Sequence, residues 1–313
     1  QVRKVIVHIA THILEHIRLA ASRQFGVAVR GAVIGRPVEF RSSMGAQGSL
    51  QAIGILREAA AAAGFDQVTF LEEPAAAAMH YHRSLQQRQY ALVVDIGGGT
   101  TDVAHARLGG GQAPRIARSW GLPSGGTDLD VSVSLHSFMP QLGKDRISMP
   151  AHRYVDAASV HNLPRQREFH QQDYRLVDEP YGSRLRALQE PGSTTRLNQA
   201  AERSKIVLSV SPRHRVALDF IEHDLAVDLD GADFRDAIAT FLGQLERTLT
   251  AVRNELDELP ASIFLTGGTS RAPQISERVQ ACFPAIPLVR GDPSLGVVSG
   301  LAVAASEADQ RPA

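Results

Sequence analysis

"VVDIGGGTTDVA", residues 93–104, sets an apolar run ending in Asp95 against three consecutive glycines, and a second aspartate, Asp102, comes after them. Glycines inside a strand region lose backbone entropy and pack nothing. The stretch therefore predicts a tight turn or a close approach to the backbone. No Gly-Lys-[Ser/Thr] occurs at 97–101, which excludes a Walker A loop. The residues after Asp102 alternate like a strand, so a dinucleotide-binding fingerprint fits poorly. A third reading is a β-hairpin whose turn offers several backbone N–H groups to a phosphate. An aspartate gains nothing by touching a phosphate, but it can hold hydrated Mg²⁺ beside one. For this string alone, a plain hairpin turn competes on even terms.

Two further turns shift the balance. Gly125-Gly126 and Gly267-Gly268 each stand before a helical pattern, and helix N-termini favour anions or a close nucleotide. Three such turns in one α/β chain make nucleotide binding the better reading. Around them, Ile6, Ile9, Ile13 and Ile17 recur at helical spacing before Gly26, and residues 31–40 read as a buried strand. Residues 49–65 form an Ala-rich helix closed by Gly64, and 67–81 a strand, a turn at Glu72-Glu73 and a helix opened by Pro74. Strands are expected near 90–95, 101–108 and 114–121. From about 140 to 195, Pro, His, Arg and Gln dominate and periodicity fades, predicting an inserted, more exposed subdomain. Helices come next at 198–210 and 231–257, with a β segment between them. A strand, Gly-Gly turn and helix span 261–283, and a last helix begins at Asp292-Pro293. The alternation indicates α/β sheets with mixed strand directions.

Bulk properties bound the partners. The 313 residues suffice for two lobes, since single cores split beyond roughly 250–300 residues. Lys+Arg and Asp+Glu each number 33, so a zero net charge argues against a nucleic-acid or anionic-membrane surface. The single Cys282 excludes an internal disulfide framework and fits a reducing compartment. With no apolar run of membrane-spanning length and no secretory signal, the expected location is the cytoplasm. Gln1 rather than Met opens the sequence, which suggests a fragment.

With these pieces in place, "VVDIGGGTTDVA" resembles the second phosphate motif of the actin, hexokinase and heat-shock ATPase superfamily. "FLTGGTSRAP" (264–273) resembles its adenosine motif and "EEPAAAAMHY" (72–81) its first connecting segment. MreB-type bacterial actins carry nearly the same phosphate string. "GGTSRAP", "ERSKIVLS" (202–209) and "SGGTDLD" (124–130) are more similar to DnaK-type heat-shock chaperones, and "AVIGRP" with the 140–195 insert to their short YegD-like branch. The resemblance implies a two-lobed, actin-like (ribonuclease H-like) α/β fold with mixed sheets that binds ATP or ADP with Mg²⁺. Its implied lobes are 1–88 with 290–313, then 89–138 with 230–289, and a lid at 139–229. It implies that Asp95 and Glu73 act on the attacking water and on Mg²⁺ through water. Gly97, Gly98, Gly99 and Thr100 would contact phosphate oxygens, and Asp102 would hold the hairpin turn. Gly267, Gly268 and Arg271 would line the nucleoside, facing Glu202, Lys205, Ile206 and Ser209. Gly125, Gly126 and Asp292 also fall on nucleotide-binding positions, and Arg271 and Ile206 would sandwich the adenine.

Taken singly, several of these residues have plainer readings. Glu73 can cap the helix at Pro74, Lys205 can be a solvated helix residue, and Arg271 can pair with Glu277. The family's Asp-x-Gly-Thr hairpin and catalytic Lys are missing from residues 1–88, which leaves the first lobe incomplete. That favours a truncated chain over a degenerate, binding-only relative. The expectation is therefore an ATPase domain of a monomeric chaperone acting with client proteins and co-chaperone-like partners, without a peptide-binding half. Actin-like filaments and a nucleotide-dependent scaffold without turnover are the alternatives. His8, His12 and His16 share helical spacing that Zn²⁺ could use, but the preferred reading is a polar face opposite the isoleucine stripe.

Overall fold

A computed structural model describes residues 2–40, 45–111, 114–290 and 296–309. It divides into two compact units, Gln1–Ser124 with Val252–Ser270 and Phe283–Ala313, and Gly125–Ala251 with Arg271–Cys282. Asp292 lies outside the described residues.

The first unit opens with α1 (Val2–Phe25), β1 (Gly31–Arg36), α2 (Gly45–Ala62), β2 (Gln67–Glu72) and α3 (Glu73–His82). β1 and β2 pair in parallel from Gly31↔Gln67 to Arg36↔Glu72, with α2 as the crossover that parallel pairing requires. Ala60, Ala63 and Phe65 form a small core that Leu14, Ile34 and Val68 cover. β2 runs directly into α3, with no intervening turn, and Pro74 sits in the first turn where its missing N–H costs nothing.

The isoleucine stripe of α1 is not its packed face. Ile6, Ile9, Ile13 and Ile17 are 47–57% exposed. The face that meets α2 is made by Leu14, Thr11 and Arg18, whose polar atoms reach Ala59 O (3.4 Å) and Ala63 O (2.7 Å). His8, His12 and His16 are exposed as well, beside the isoleucines rather than opposite them.

β3 (Gln89–Ile96), β4 (Thr101–Leu108) and β5 (Arg115–Leu122) form an antiparallel meander. The second unit then begins with α4 (Gly126–Val133), followed by a π turn and a 3₁₀ turn to Leu142. Next come α5 (Ala151–Ala158), α6 (Leu163–His170), α7 (Tyr181–Gln189) and α8 (Ser193–Leu208). The expectation of an exposed, aperiodic 140–195 segment is corrected here. Leu142, Tyr154, Phe169, Leu185 and Leu188 are fully buried. Each helix is too short to display a period, yet each contributes one or two large side chains to a shared core.

β6 (Arg213–Ala217) and β7 (Ala226–Asp230) make a hairpin that leads to α9 (Gly231–Ala237) and α10 (Ala239–Glu255). The single helix expected over 231–257 breaks at Ile238, after a capping box in which Asp230 and Asp233 satisfy each other's N–H groups. β8 (Ser262–Thr266), a 3₁₀ turn at Gly268–Arg271, α11 (Pro273–Cys282), β9 (Leu288–Arg290) and α12 (Gly296–Asp309) complete the chain. The central sheet has the order β5-β4-β3-β8-β9, with β3, β8 and β9 parallel and the meander antiparallel. It is therefore mixed, as expected. α12 lies against α3 so closely that a Cβ on Gly300 would fall 1.7 Å from Ala76 O. Among the described residues, no helix is long and apolar enough to cross a membrane.

Candidate functional site

In the first unit, three carboxylates converge where β3 ends. Antiparallel register sets Asp95 directly opposite Asp102, across the Gly97–Thr100 turn that a 2.9 Å bond from Gly97 N–H to Thr100 O closes. Like charges at such a position repel, and both residues are buried. Burial, with Glu73 and Asp102 adding, pushes the Asp95 carboxyl up to about 7. Burial likewise lifts Asp102 to about 6, against the opposing hydrogen bonds from the Val38 N–H and the Thr100 hydroxyl. Glu73, the first residue of α3, is also raised by burial. No lysine or arginine pairs with these three groups among the described residues, and Arg36 is committed to Glu72 at 2.9 Å.

Asp102 does more than hold the turn. Its Oδ1 accepts the Val38 N–H at 2.6 Å, tying β4 to the chain that leaves β1. Gly98 and Gly99 are exposed with open space around them. Gly267 is the opposite case: at φ 84° a Cβ would sit 2.3 Å from Ile96 O and 2.5 Å from Asp95 Oδ1. Only glycine lets the turn after β8 lie against Asp95. The Thr269 hydroxyl donates to Gly97 O at 3.0 Å and so joins the two Gly-rich turns. Sequence reading missed Thr269, and its place inside "GGTSRAP" was the available signal.

In the second unit, α4 and α8 carry the remaining candidates. The Gly125 N–H is taken by Asp128 Oδ2 at 2.9 Å, so that donor caps its own helix. Lys205 is not a solvated helix residue. Its Nζ donates to Gly126 O at 3.1 Å and forms an ion pair with Asp130 Oδ1 at 2.7 Å. Burial still outweighs the lysine and holds the Asp130 carboxyl at about 6. Glu202, Lys205, Ile206 and Ser209 are spaced i, i+3, i+4 and i+7, one face of α8. Glu202 and Ile206 are exposed there, while Ser209 Oγ bonds back to Lys205 O. Asp130 was missed because nothing in "SGGTDLD" separates the capping aspartate from the pairing one. Arg271 is exposed, and Glu277, its candidate partner, is held by Arg235 at 3.1 Å.

The trio fits a hydrated divalent cation better than a directly ligated one. Buried carboxylates held above their ordinary range gain most from a nearby positive charge. Yet no group of three or more His, Cys, Asp or Glu among the described residues could hold a metal ion directly. Mg²⁺ keeps several waters and suits such a site.

Comparison with known proteins gives the family. The Hsp70 protein family model matches residues 6–150 and 180–307. The chaperone protein DnaK of Anaplasma marginale is 28% identical over 294 residues, covering 88% of this chain and 38% of DnaK. The chaperone protein dnaK3 of Synechocystis is 28% identical, covering 96% of this chain and 34% of its own length. Human heat shock 70 kDa protein 13 is 26% identical, with 95% and 64% covered. The chain thus spans between one third and two thirds of the length of these relatives. A family match over most of its residues, with the mixed sheet and its Gly-rich hairpin, shows that this chain belongs to the Hsp70 family and has that family's actin-like ATPase fold.

Proposed function

We propose that this chain supplies the nucleotide-binding machinery of an Hsp70-like chaperone that binds ATP and ADP with Mg²⁺ and couples ATP hydrolysis to lobe closure. The supporting observation is the Glu73–Asp95–Asp102 cluster, two buried aspartates with a half-buried glutamate, which has no cation of its own beside an open Gly-rich turn. When bound, Mg²⁺ would neutralise phosphate charge and this cluster together. Asp95 and Glu73 would accept hydrogen bonds from water, orienting it and holding its proton. The N–H groups of Gly97, Gly98, Gly99 and Thr100 would bind phosphate oxygens, with Gly267 and Gly268 shaping the approach. Arg271 and the exposed Ile206 would take the two faces of the base, and Glu202, Lys205 and Ser209 its sugar and edges. Guanidinium stacking contributes roughly 0.5–2 kcal/mol.

In this reading the lobes are 1–88 with 290–313 and 89–138 with 230–289, and 139–229 is the lid. The protein would work as a cytoplasmic monomer, of the short YegD-like kind, on client proteins and with co-chaperone-like partners.

Calorimetric titration of ADP with and without Mg²⁺ tests the site, and single-turnover assays on ATP test hydrolysis. Mg²⁺-dependent binding that Asp95→Asn weakens is expected. Binding without turnover in a chain that also carries the missing hairpin and Lys would identify a nucleotide-dependent scaffold, and nucleotide affinity indifferent to Mg²⁺ and to Asp95→Asn would refute the assignment.

A further inference from the structure

The Gly-rich turn after β8 touches the Gly97–Thr100 turn at two consecutive carbonyls. Gly267, at φ 84°, lies so near Ile96 O that a Cβ would sit 2.3 Å from it. Two residues on, the Thr269 hydroxyl donates to Gly97 O at 3.0 Å. Ser270 holds its own turn in shape, with its hydroxyl and N–H both on Gly267 O at 2.7 and 3.2 Å. Thr269 is 7% exposed, which leaves its hydroxyl little water as an alternative partner. Among the described residues, no other group donates to Gly97 O.

The Thr269 bond fixes a direction. The Gly97–Gly98 peptide is trans, and in a planar trans peptide the C=O and the N–H point opposite ways. With Gly97 O turned in to Thr269, the Gly98 N–H is turned out. On that side Gly98 and Gly99 are exposed, and a Cβ on either would meet open space. The preceding peptide is fixed as well, because the Gly97 N–H is spent on Thr100 O at 2.9 Å. Left to itself, a Gly-Gly peptide flips readily, since glycine takes φ of either sign. The flipped form would present a carbonyl oxygen where an anion needs a donor.

We propose that Thr269 is a positioning residue for phosphate, its hydroxyl locking the Gly97–Gly98 peptide so that the Gly98 N–H faces outward as a donor. The proposal rests on the nucleotide site proposed for this turn and adds the group that orients its first open N–H. Thr269 acts through the Gly97 carbonyl rather than on the phosphate. The same geometry narrows the donors of the turn to those beyond Gly97, whose own N–H closes it. The side chain of the second Gly-rich turn thus makes the first one ready for an anion before any nucleotide arrives, which spares the ligand the cost of ordering it.

Thr269→Val matches the native side chain in size and lacks only the hydroxyl, whereas Thr269→Ser keeps the hydroxyl. Both variants and the unaltered chain are titrated with ADP and, separately, with adenosine, in the presence of Mg²⁺. ADP should bind Thr269→Val at least about tenfold more weakly, the worth of a hydrogen bond to a charged group. Thr269→Ser should restore the affinity of the unaltered chain, and adenosine, which carries no phosphate, should bind all three proteins alike. Amide NMR of the ligand-free proteins reads the lock itself. The Gly98 N–H signal should be sharp in the unaltered chain and in Thr269→Ser, and shifted and broadened in Thr269→Val. Three results overturn the proposal: equal ADP affinity in all three proteins, an equal loss for ADP and adenosine in Thr269→Val, or a Gly98 signal that the valine leaves unmoved. An unaltered chain that binds no ADP would bring down the nucleotide site along with the lock, whereas ADP binding that the valine leaves intact would bring down the lock alone.

Discussion

Two buried carboxylate settings in this molecule are solved in opposite ways. Asp130 in the second unit has its cation built in, because Lys205 reaches across from α8 to within 2.7 Å. Asp95 in the first unit has none; around it stand Asp102 and Glu73, more negative charge. Burial raises both carboxyls, to about 6 and about 7. The difference lies in who supplies the compensating charge. Where the fold supplies it, the group is architecture. Where the fold withholds it, the site is unfavourable alone and gains from a ligand, which is the usual trade of stability for function.

Removing the built-in cation should produce the largest effect. Lys205→Met strands Asp130 in a buried setting, and breaking such a pair should cost about 3–5 kcal/mol at pH 8. Thermal melts at pH 8 and pH 5 check it. The loss should shrink at pH 5, where a carboxyl held at about 6 is already protonated. An equal loss at both values would mean that the lysine works by packing its stem.

The Asp95 side of the comparison should respond with the opposite sign. Its folded-state value and that of Asp102 are raised above the ordinary 3.8, so the folded chain holds these protons more tightly than the unfolded one. Their contribution to stability is fully present below about pH 4. It is lost as pH rises through about 6 for Asp102 and about 7 for Asp95. Asp95→Asn should therefore stabilise the ligand-free chain at pH 8, by about 1–3 kcal/mol, while weakening Mg²⁺-dependent ADP binding. Melting temperatures of both proteins from pH 4 to 8 decide this: the variant's curve should be flatter, and a variant that melts lower throughout would make Asp95 structural.

The smallest change is expected from Glu73→Gln, which thins the same cluster from its half-buried rim. A gain of no more than about 1 kcal/mol at pH 8 should appear, with a downward shift of the Asp95 titration. Carbonyl-region NMR of the Asp95 carboxyl checks that shift, and an unmoved titration would remove Glu73 from the cluster.

Much of this was legible in the sequence because backbone geometry wrote it there. Three glycines between two aspartates pointed to a turn or a close approach, and a turn is what forms; Gly267, expected to line a nucleoside, lies against Asp95. The residues of α8 came from the family resemblance, and their helical spacing sets them on one face. The features that escaped depended on which surface each element meets. The isoleucines of α1 specify a helix, but the face that meets α2 carries Leu14, Thr11 and Arg18 instead. Ala75–Ala78 of α3, with far less apolar surface, are almost wholly buried because small residues permit the close contact with Gly300. The 140–195 core was invisible for want of length, and Asp130 because a charged pair leaves no periodic trace.

The order of the central sheet also orders its assembly in time. β3, β4 and β5 are neighbours in sequence and can zip from local turns. β3's other neighbour, β8, comes from far down the chain: Ala91 pairs with Ser262, a separation of 262 − 91 = 171 residues. Closing so long a loop is slow compared with forming a hairpin. The Gly-rich turn and its two aspartates can therefore be in place while Gly267, which lies against Asp95, has yet to arrive. During refolding, β structure should return before the ability to bind nucleotide, and the lag between the two signals would time the docking of β8.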